Sequence, residues 1–341
     1  MYGETKDLPD TALLSLGIHR IEVPVPFLEA GGPANVYAIE EADGRFALFD
    51  TGIGNAEGHA ALKAGLAQHS LDLSRLSRIL VSHGHIDHFG NAQWLSEQSG
   101  ARVFIHDADR EKVMGDARFA ALLRKHRAYF LGALGVPVET LDEMQAFADR
   151  SRSDSKYLQG ERLGSLVEGQ RFEFKHFEVE VKHLPGHTPG LVCLWAERVK
   201  IFFADDHVLA RVSPNPVLDF TYGEAPATKF RALSRYLEGA KWVRDLDLEM
   251  VLPGHGPAFS GHRALLDGLL EFYVRRQDRI AAKLAAGPAT VFELLPALFP
   301  RNREPARLVL MLSELLANVE VLEDAGRVVR EDGDVVRYRL H

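Results

Sequence analysis

Four potential metal ligands stand within six residues of the sequence, soon after the largely apolar run 78–81. Imidazole nitrogens and carboxylate oxygens are donors that suit zinc and other first-row metals. The apolar run predicts a buried strand, and the neighbouring glycines predict a loop at its carboxyl end. Such a loop turns the four side chains toward one volume. The four ligands are His83, His85, Asp87 and His88.

Three later segments carry further ligands, and each segment follows a run that predicts a strand. His187 lies in Pro-Gly-His-Thr-Pro-Gly, Asp206 lies in Asp-Asp-His, and His255 lies in Pro-Gly-His-Gly. Loops at the strand ends of one sandwich can converge in space. Together with the first cluster, these segments supply seven groups, which is enough for two metal ions.

We predict a site for two divalent cations. Two such cations about 3.5–4 Å apart share a water, lower its pKa and polarise the bond to be attacked. The prediction is therefore a hydrolase whose nucleophile is a metal-bridging hydroxide. Zinc is the favoured metal, while the nitrogen and oxygen donors leave iron and manganese open. One site would take His83, His85 and His187, the other would take Asp87, His88 and His255, and Asp206 would bridge them.

Two residues are candidates for catalytic proton transfer. Asp87 can bind metal and also accept a proton from the attacking water. His207, next to Asp206, can donate a proton to a leaving group or hold an oxyanion; the alternative is a loop histidine bonded to backbone. Tyr222 either reaches the pocket or packs under its loop. His183 alternates within a strand run and is predicted to be structural.

The elements that must position these loops alternate between strand and helix. Short β runs come before residue 50, and further runs at 78–81 and 102–105 flank predicted helices. This alternation predicts a layered α/β catalytic domain over residues 1–259. From 107 to 164 strand runs disappear and apolar residues recur at helical spacing, which predicts an inserted helical cap. Its aromatic residues either pack the cap or line a substrate pocket.

Residues 260–341 predict a second, mainly helical domain. Ser260 is expected to cap its first helix, and an apolar stripe runs along the last helix from Leu308 to Leu322. The chain then predicts a hairpin around the two-residue turn Asp332-Gly333. Three helices followed by a hairpin are typical of a winged helix. Its charges roughly balance, so a protein partner or a homodimer is favoured as much as DNA.

Composition narrows the class of protein and its partners. The 341 residues are 46% hydrophobic and 26% charged with a net charge of -8, as in an ordinary soluble globular protein. A negative surface argues against general affinity for nucleic acid or anionic membranes. The single cysteine, Cys193, excludes an internal disulfide, and the sequence shows no secretory or membrane-spanning pattern. We expect a cytoplasmic protein with a small-molecule substrate.

The motifs resemble those of the metallo-β-lactamase superfamily. They occur in the family's order across residues 18–258, beginning with Asp50-Thr-Gly and the histidine cluster and continuing through the three later segments. The resemblance implies a four-layer αββα sandwich of the α/β (α+β) class with a dinuclear site at one edge. It also implies that Asp50 supports the histidine loop through hydrogen bonds. The tail resembles the branch that carries a C-terminal winged-helix extension.

Departures from particular members narrow the activity. The commonest secreted β-lactamases carry cysteine where Asp206 stands, and diiron oxygen reductases carry glutamate where His85 stands. Glyoxalase II shares the metal motifs but differs in the insertion and the tail. Hydrolysis of an ester or thioester is therefore the first hypothesis. An endoribonuclease or phosphodiesterase, and a metal-dependent binding or regulatory module, stay open as alternatives.

Overall fold

The computed structural model describes residues 2–26, 31–115, 117–150, 156–214, 216, 218–221, 228–300 and 305–341. None of the helices in these residues is both long and apolar enough to cross a membrane. The strands are β1 Lys6–Asp7, β2 Ile18–Val23, β3 Ala34–Glu40, β4 Phe46–Phe49, β5 Leu76–Leu80, β6 Arg102–His106, β7 Leu163–Leu166, β8 Arg171–Glu173, β9 Glu178–His183, β10 Val192–Ala196, β11 Ile201–Asp205, β12 Phe220–Thr221, β13 Thr228–Lys229, β14 Met250–Pro253, β15 Phe259–Ser260, β16 Val328–Glu331 and β17 Arg337–Leu340. The α-helices are α1 Thr11–Leu14, α2 Ala56–Gln68, α3 Ile86–Phe89, α4 Ala92–Ser99, α5 Asp107–Met114, α6 Ala117–Ala133, α7 Val138–Arg150, α8 Ala232–Asp245, α9 His262–Leu284, α10 Val291–Leu298 and α11 Pro305–Asp324.

The two large sheets both mix parallel and antiparallel pairs. One sheet has the strand order β2-β3-β4-β5-β6-β7, in which β4 to β7 run parallel. The other has the order β1-β15-β14-β11-β10-β9-β8, in which β11 and β14 run parallel. Parallel neighbours place their carboxyl ends at the same edge of a sheet. The loops that carry the predicted ligands therefore leave each sheet from one edge.

Alternate residues of the central strands point into different layers, as the period of two requires. In β3, Tyr37 packs between the two sheets, whereas Val36 packs with α2 and α4 on the outer face. In β10, Leu194 packs between the sheets, whereas Cys193 packs with α8 and α9. Each sheet is thus covered by helices on its outer face. The predicted four-layer αββα sandwich is confirmed, and Cys193 is buried in its core.

The insertion folds as the helices α5, α6 and α7 and returns to the first sheet through β7. Its end differs slightly from the prediction, because residues 163 and 164 already belong to β7. Leu131, Leu134 and Met144 are buried in one apolar cluster with α10 and α11. The N–H of Val336 also donates to the carbonyl of Ala133 at 2.7 Å. The insertion therefore shares its core with the C-terminal helices.

Two details of the C-terminal region differ from the sequence predictions. Ser260 lies in β15, which pairs with β1, and Gly261 takes the cap position of α9 with a φ of 93°. The hairpin β16–β17 is connected by residues 332–336, so the predicted two-residue Asp-Gly turn is wrong. The physical reason for the longer connection is the contact with the insertion, to which Val336 gives its N–H.

The apolar stripe of α11 is buried within the chain. Leu312 and Leu315 are 0% exposed and pack in the cluster shared by the insertion and the C-terminal helices. A face that is covered internally cannot be offered to a second copy. The homodimer stays a prediction, and the buried stripe gives it no support.

Candidate metal centre

Loops from both sheets meet at one edge of the sandwich. The N–H of Val192, in β10, donates to the carbonyl of Ser82 at 2.9 Å and joins the histidine loop to the opposite sheet. The N–H of Asn35, in β3, donates to the carbonyl of Gly254 at 2.7 Å and joins the first sheet to the loop after β14. These backbone contacts join loops of the two sheets at this edge.

The first group of ligand atoms, here called site A, consists of His83, His85, His187 and Asp206. His85 Nδ1 lies 3.0 Å from His83 Nε2 and 2.9 Å from His187 Nε2. His187 Nε2 lies 3.3 Å from a carboxylate oxygen of Asp206. All these atoms come from three separate loops, and the set is the one predicted for the first cation together with its bridging aspartate.

The second group, here called site B, consists of Asp87, His88 and His255. His255 Nε2 lies 3.6 Å from an oxygen of Asp87, and His88 Nε2 lies 3.8 Å from the same oxygen. Asp206 adjoins this group as well, because its oxygens lie 3.5 Å from His88 Nε2 and 3.6 Å from His255 Nε2. One carboxylate therefore faces both groups, as the sequence analysis predicts for a bridging ligand.

The ring nitrogens that face away from the centre bind protein groups. His88 Nδ1 lies 2.9 Å from Asp50 Oδ2, and His83 Nδ1 lies 2.9 Å from the Ser82 hydroxyl. His255 Nδ1 lies 3.1 Å from the carbonyl oxygens of residues 32 and 33. Contacts of this kind fix a ring's orientation and tautomer and leave Nε2 directed at the centre. Asp50 also accepts the Ser82 N–H at 2.7 Å, so it makes the supporting contacts that the resemblance implies.

Asp205 is a functional candidate that the sequence analysis missed. It is buried, and its oxygens lie 3.3 Å from His83 Nδ1 and 3.5 Å from His88 Nδ1. Burial opposes its ionisation, but His88, Asp50 and His83 hold the pKa of Asp205 well below its ordinary value. The signal was present in the sequence as two consecutive aspartates, of which only Asp206 was selected.

The donor set fits divalent cations. His85 Nδ1 faces two ring nitrogens at once, and a single N–H cannot serve both. Within the described chain, His88 Nε2 and Asp206 Oδ1 are buried and have no hydrogen-bond partner. Burial raises the pKa of Asp206, but His255 and His88 reverse this and keep it ionised. Buried nitrogen and oxygen atoms left in this state are the ligands that zinc and related metals take.

His207 does not join the two groups. Its ring is fully buried and packs on Tyr236 of α8, with ring centroids 5.1 Å apart. Burial lowers the pKa of His207 to about 4, so the ring is neutral near pH 7. This position gives no support to the predicted contact with a leaving group. By hydrogen-bond geometry neither ring nitrogen has a partner among the described residues, but the backbone of Gly239 lies beside the ring and opposes the lowering of its pKa, so the backbone-bonded alternative stays a prediction.

The remaining polar candidates have simpler outcomes. His183 stacks on His106 with centroids 3.8 Å apart, and its Nε2 lies 2.9 Å from the carbonyl of Pro189. These contacts agree with the structural role that was predicted for it. Tyr222 lies outside the described residues. Asp109, which the sequence analysis assigned only to the insertion, is fully buried behind the histidine loop and accepts the N–H of Gly84 at 2.9 Å.

Comparisons with known proteins match this geometry. A model of the metallo-beta-lactamase superfamily matches residues 30–255, and a model of metallo-beta-lactamase-like C-terminal domains matches residues 278–341. The chain is 27% identical over 309 residues to the probable metallo-hydrolase YqjP of Bacillus subtilis, covering 89% of this chain and 91% of that protein. It is 22% identical over 307 residues to the atrochrysone carboxyl ACP thioesterase of Aspergillus fumigatus, covering 86% and 77% respectively.

Solved structures agree on the fold. A metallo-beta-lactamase family protein of Thermus thermophilus superimposes with a TM-score of 0.76 and 27% identity, over 95% of this chain and 99% of that one. A beta-lactamase domain protein of Burkholderia ambifaria gives a TM-score of 0.78 at 24% identity, over 100% and 95%. Because a superfamily model covers most of this chain, its family follows directly. The chain belongs to the metallo-beta-lactamase superfamily and is a metal-dependent hydrolase of that superfamily.

Proposed function

We propose that the chain is a dinuclear hydrolase that cleaves a small-molecule ester or thioester. The observation that carries this proposal is the position of Asp206, whose two oxygens face sites A and B. Two cations bound at these sites would supply a water of lowered pKa as the nucleophile and would polarise the substrate carbonyl. Zinc is the first choice for both, with iron and manganese as the other metals that suit this donor set.

The protein's own residues have distinct tasks in this proposal. The histidines of site A are nitrogen donors held by two loops, while Asp206, from a third loop, spans both sites. Asp87 presents one oxygen to His88 and His255, and its carboxylate can accept the proton that the attacking water loses. Residues 84–86 are only half-buried, whereas most of the centre is buried. We infer that substrate approaches over this part of the histidine loop.

An ester or thioester is favoured over a phosphodiester by two observations. One relative that aligns over most of this chain is named as a thioesterase. In the C-terminal hairpin, Arg330 and Arg339 pair with Asp332 and Glu331, and Arg337 pairs with Glu293. Arginines that are already neutralised make few phosphate contacts. These pairs argue against a nucleic-acid track on the hairpin and so against the endoribonuclease and DNA-contact alternatives.

We also keep the predicted division at residues 259 and 260. In this division, residues 1–259 form the catalytic unit and residues 260–341 form a unit that braces the insertion. The buried cluster that joins Leu134 and Met144 to α10 and α11 supports the bracing role. A separate winged-helix function in binding DNA has no comparable support in the charges of the hairpin.

Metal analysis and a substrate panel test the proposal. Purified protein should carry two metal ions per chain and should hydrolyse carboxylic esters or thioesters in preference to bis-p-nitrophenyl phosphate. His83→Ala should lose turnover because it removes a nitrogen donor of site A. A matched control is His176→Ala, since His176 is exposed and outside both sites. Well under two metals per chain, or full turnover by His83→Ala, would overturn the dinuclear proposal.

A further inference from the structure

A single carboxylate touches both backbone loops that carry the histidines of site A. Asp109, in α5, is fully buried and accepts hydrogen bonds from the N–H of Gly84 at 2.9 Å and the N–H of Gly190 at 3.1 Å. It also accepts the hydroxyl of Thr188 at 2.5 Å. Gly84 lies between the first two histidines of site A, and Thr188 directly follows the third. The side chain therefore fixes the distance between two loops from opposite sheets.

The loops pack directly on this carboxylate. A Cβ atom at Gly190 would come within 2.7 Å of the Asp109 carboxyl carbon, which is closer than real contacts allow. A Cβ atom at Gly84 would lie 3.3 Å from the Asp109 Cβ and 3.0 Å from the Lys112 side chain. No space remains between the backbone and the charged groups. A shift of Asp109 must therefore move at least one of the two loops.

Lys112 extends the network away from the centre. Its ammonium lies 2.9 Å from Asp109 and also binds the carboxylate of Asp219. Asp219 in turn accepts the N–H of Phe220 at 2.8 Å, and the ring of Phe220 contacts Phe130 of α6 with centroids 5.0 Å apart. The chain of contacts thus runs from the histidine loop to residues 218–221 and to the insertion.

The network of Asp109, Lys112 and Asp219 depends on all three charged groups being present. One ammonium, 10% exposed, lies between two buried carboxylates. Removing one partner of a buried ion pair leaves an uncompensated charge and is strongly destabilising. Each member therefore restrains the other two.

We propose that Asp109 is a positioning residue that sets the metal affinity of site A, and that Lys112 and Asp219 link this affinity to the placement of residues 218–221. The inference rests on the proposed two-metal site but not on the ester or thioester substrate. Residues 218–221 reach the insertion through the contact of Phe220 with Phe130. A displacement of residues 218–221 would then be felt at site A without touching a ligand.

Cobalt binding tests the proposal, because Co²⁺ absorption in the visible range reports the geometry of its ligands. Asp109→Asn should bind one of its two Co²⁺ equivalents about 10–100-fold more weakly in chelator competition, the effect typical of residues that orient ligands. Its spectrum should also change. Asp219→Asn and Lys112→Met should also weaken the binding of that Co²⁺ equivalent, but by a smaller factor. Asp107→Asn is the matched control, because Asp107 lies on the same helix with an exposed side chain.

The outcomes are separable. Asp109→Asn with a lower melting temperature but an unchanged cobalt spectrum and affinity would show a structural role only and would overturn the proposal. Asp219→Asn that behaves as Asp107→Asn would overturn the link to residues 218–221. If Asp109→Asn fails to fold, Thr188→Val removes one donor without changing charge and must weaken the same equivalent. Fewer than two equivalents in the unmodified chain would defeat both proposals, whereas missing ester turnover with normal cobalt binding would defeat only the substrate assignment.

Discussion

The polar groups of the metal centre and of the C-terminal hairpin differ in whether they have partners within the protein. In the hairpin, Arg330, Arg337 and Arg339 each have an acidic partner, and all lie near the surface. In the metal centre, buried ring nitrogens face one another, and within the described chain Asp206 Oδ1 has no hydrogen-bond partner. Paired surface charges add little to stability, whereas unpaired buried groups are costly. The difference indicates where a ligand must complete the structure and where none is needed.

The largest expected effect is at the carboxylate that faces both sites. Asp206→Asn should lower bound metal from two ions to fewer than one per chain. It should reduce kcat by more than about 100-fold, since even the loss of an orienting partner costs 10–100-fold. Metal analysis and turnover measure both effects. Asp247→Asn serves as the control because Asp247 is exposed and pairs only with Lys200 in the described chain. Retention of both metals by Asp206→Asn would contradict the conclusion that this carboxylate is needed to hold the metal ions.

The next effect concerns ring orientation. Asp50→Asn keeps the size of the side chain but replaces the carboxyl group that faces His88 Nδ1 at 2.9 Å with an amide. We expect metal affinity at site B to fall about 10–100-fold while the protein stays folded. Chelator competition gives the affinity, and circular dichroism checks the fold. Asp43→Asn is an exposed-turn control. Equal affinities in the two variants would mean that Asp50 does not orient the ligand.

Metal binding should also raise thermal stability. Free metal at 100 times its dissociation constant stabilises the folded chain by about 2.7 kcal/mol per site. For a chain of this size each occupied site then raises the melting temperature by roughly 4 °C. A chelator should reverse the shift, and Asp206→Asn should show little of it. A melting temperature that changes with neither metal nor chelator would indicate that the buried donor atoms do not need a cation.

The smallest effect is expected in the hairpin. Arg339→Ala removes an exposed ion pair with Glu331 and should change the free energy of unfolding by less than about 1 kcal/mol. Turnover and metal content should stay unchanged. Chemical denaturation and the ester assay measure these quantities, with Arg171→Ala as a second exposed pair for comparison. Loss of activity in Arg339→Ala would show that the hairpin takes part in the reaction.

The sequence predicted the parts of this structure whose signals are local. Each ligand segment follows an apolar strand run, so the sequence alone assigned His83 and His255 to loops at strand ends of one sandwich. The layers followed from the alternation of strands and helices. Asp109 was missed because the backbone and hydroxyl donors that it accepts from lie 25 to 81 residues away in sequence and belong to two other loops.

The wrong predictions have a common physical origin. An Asp-Gly pair is typical of a tight turn, and serine is typical of a helix cap. In the folded chain, contacts with distant segments determine the conformation of both stretches. β15 pairs with β1, and Val336 donates to the insertion. The apolar stripe of α11 was compatible with an external or an internal partner. Periodicity identifies an apolar face, but only the packed chain identifies what covers it.

The shared core of the insertion and the C-terminal helices limits how this enzyme can be shortened. Trimming the chain before α10 would uncover Leu131, Leu134 and Met144, which are buried in the present structure. Excising the insertion alone would expose the apolar side chains of α10 and α11 that pack against it. Neither piece is a detachable module. We expect natural or engineered versions that lose one of them to lose the other, or to replace the missing wall with new apolar surface.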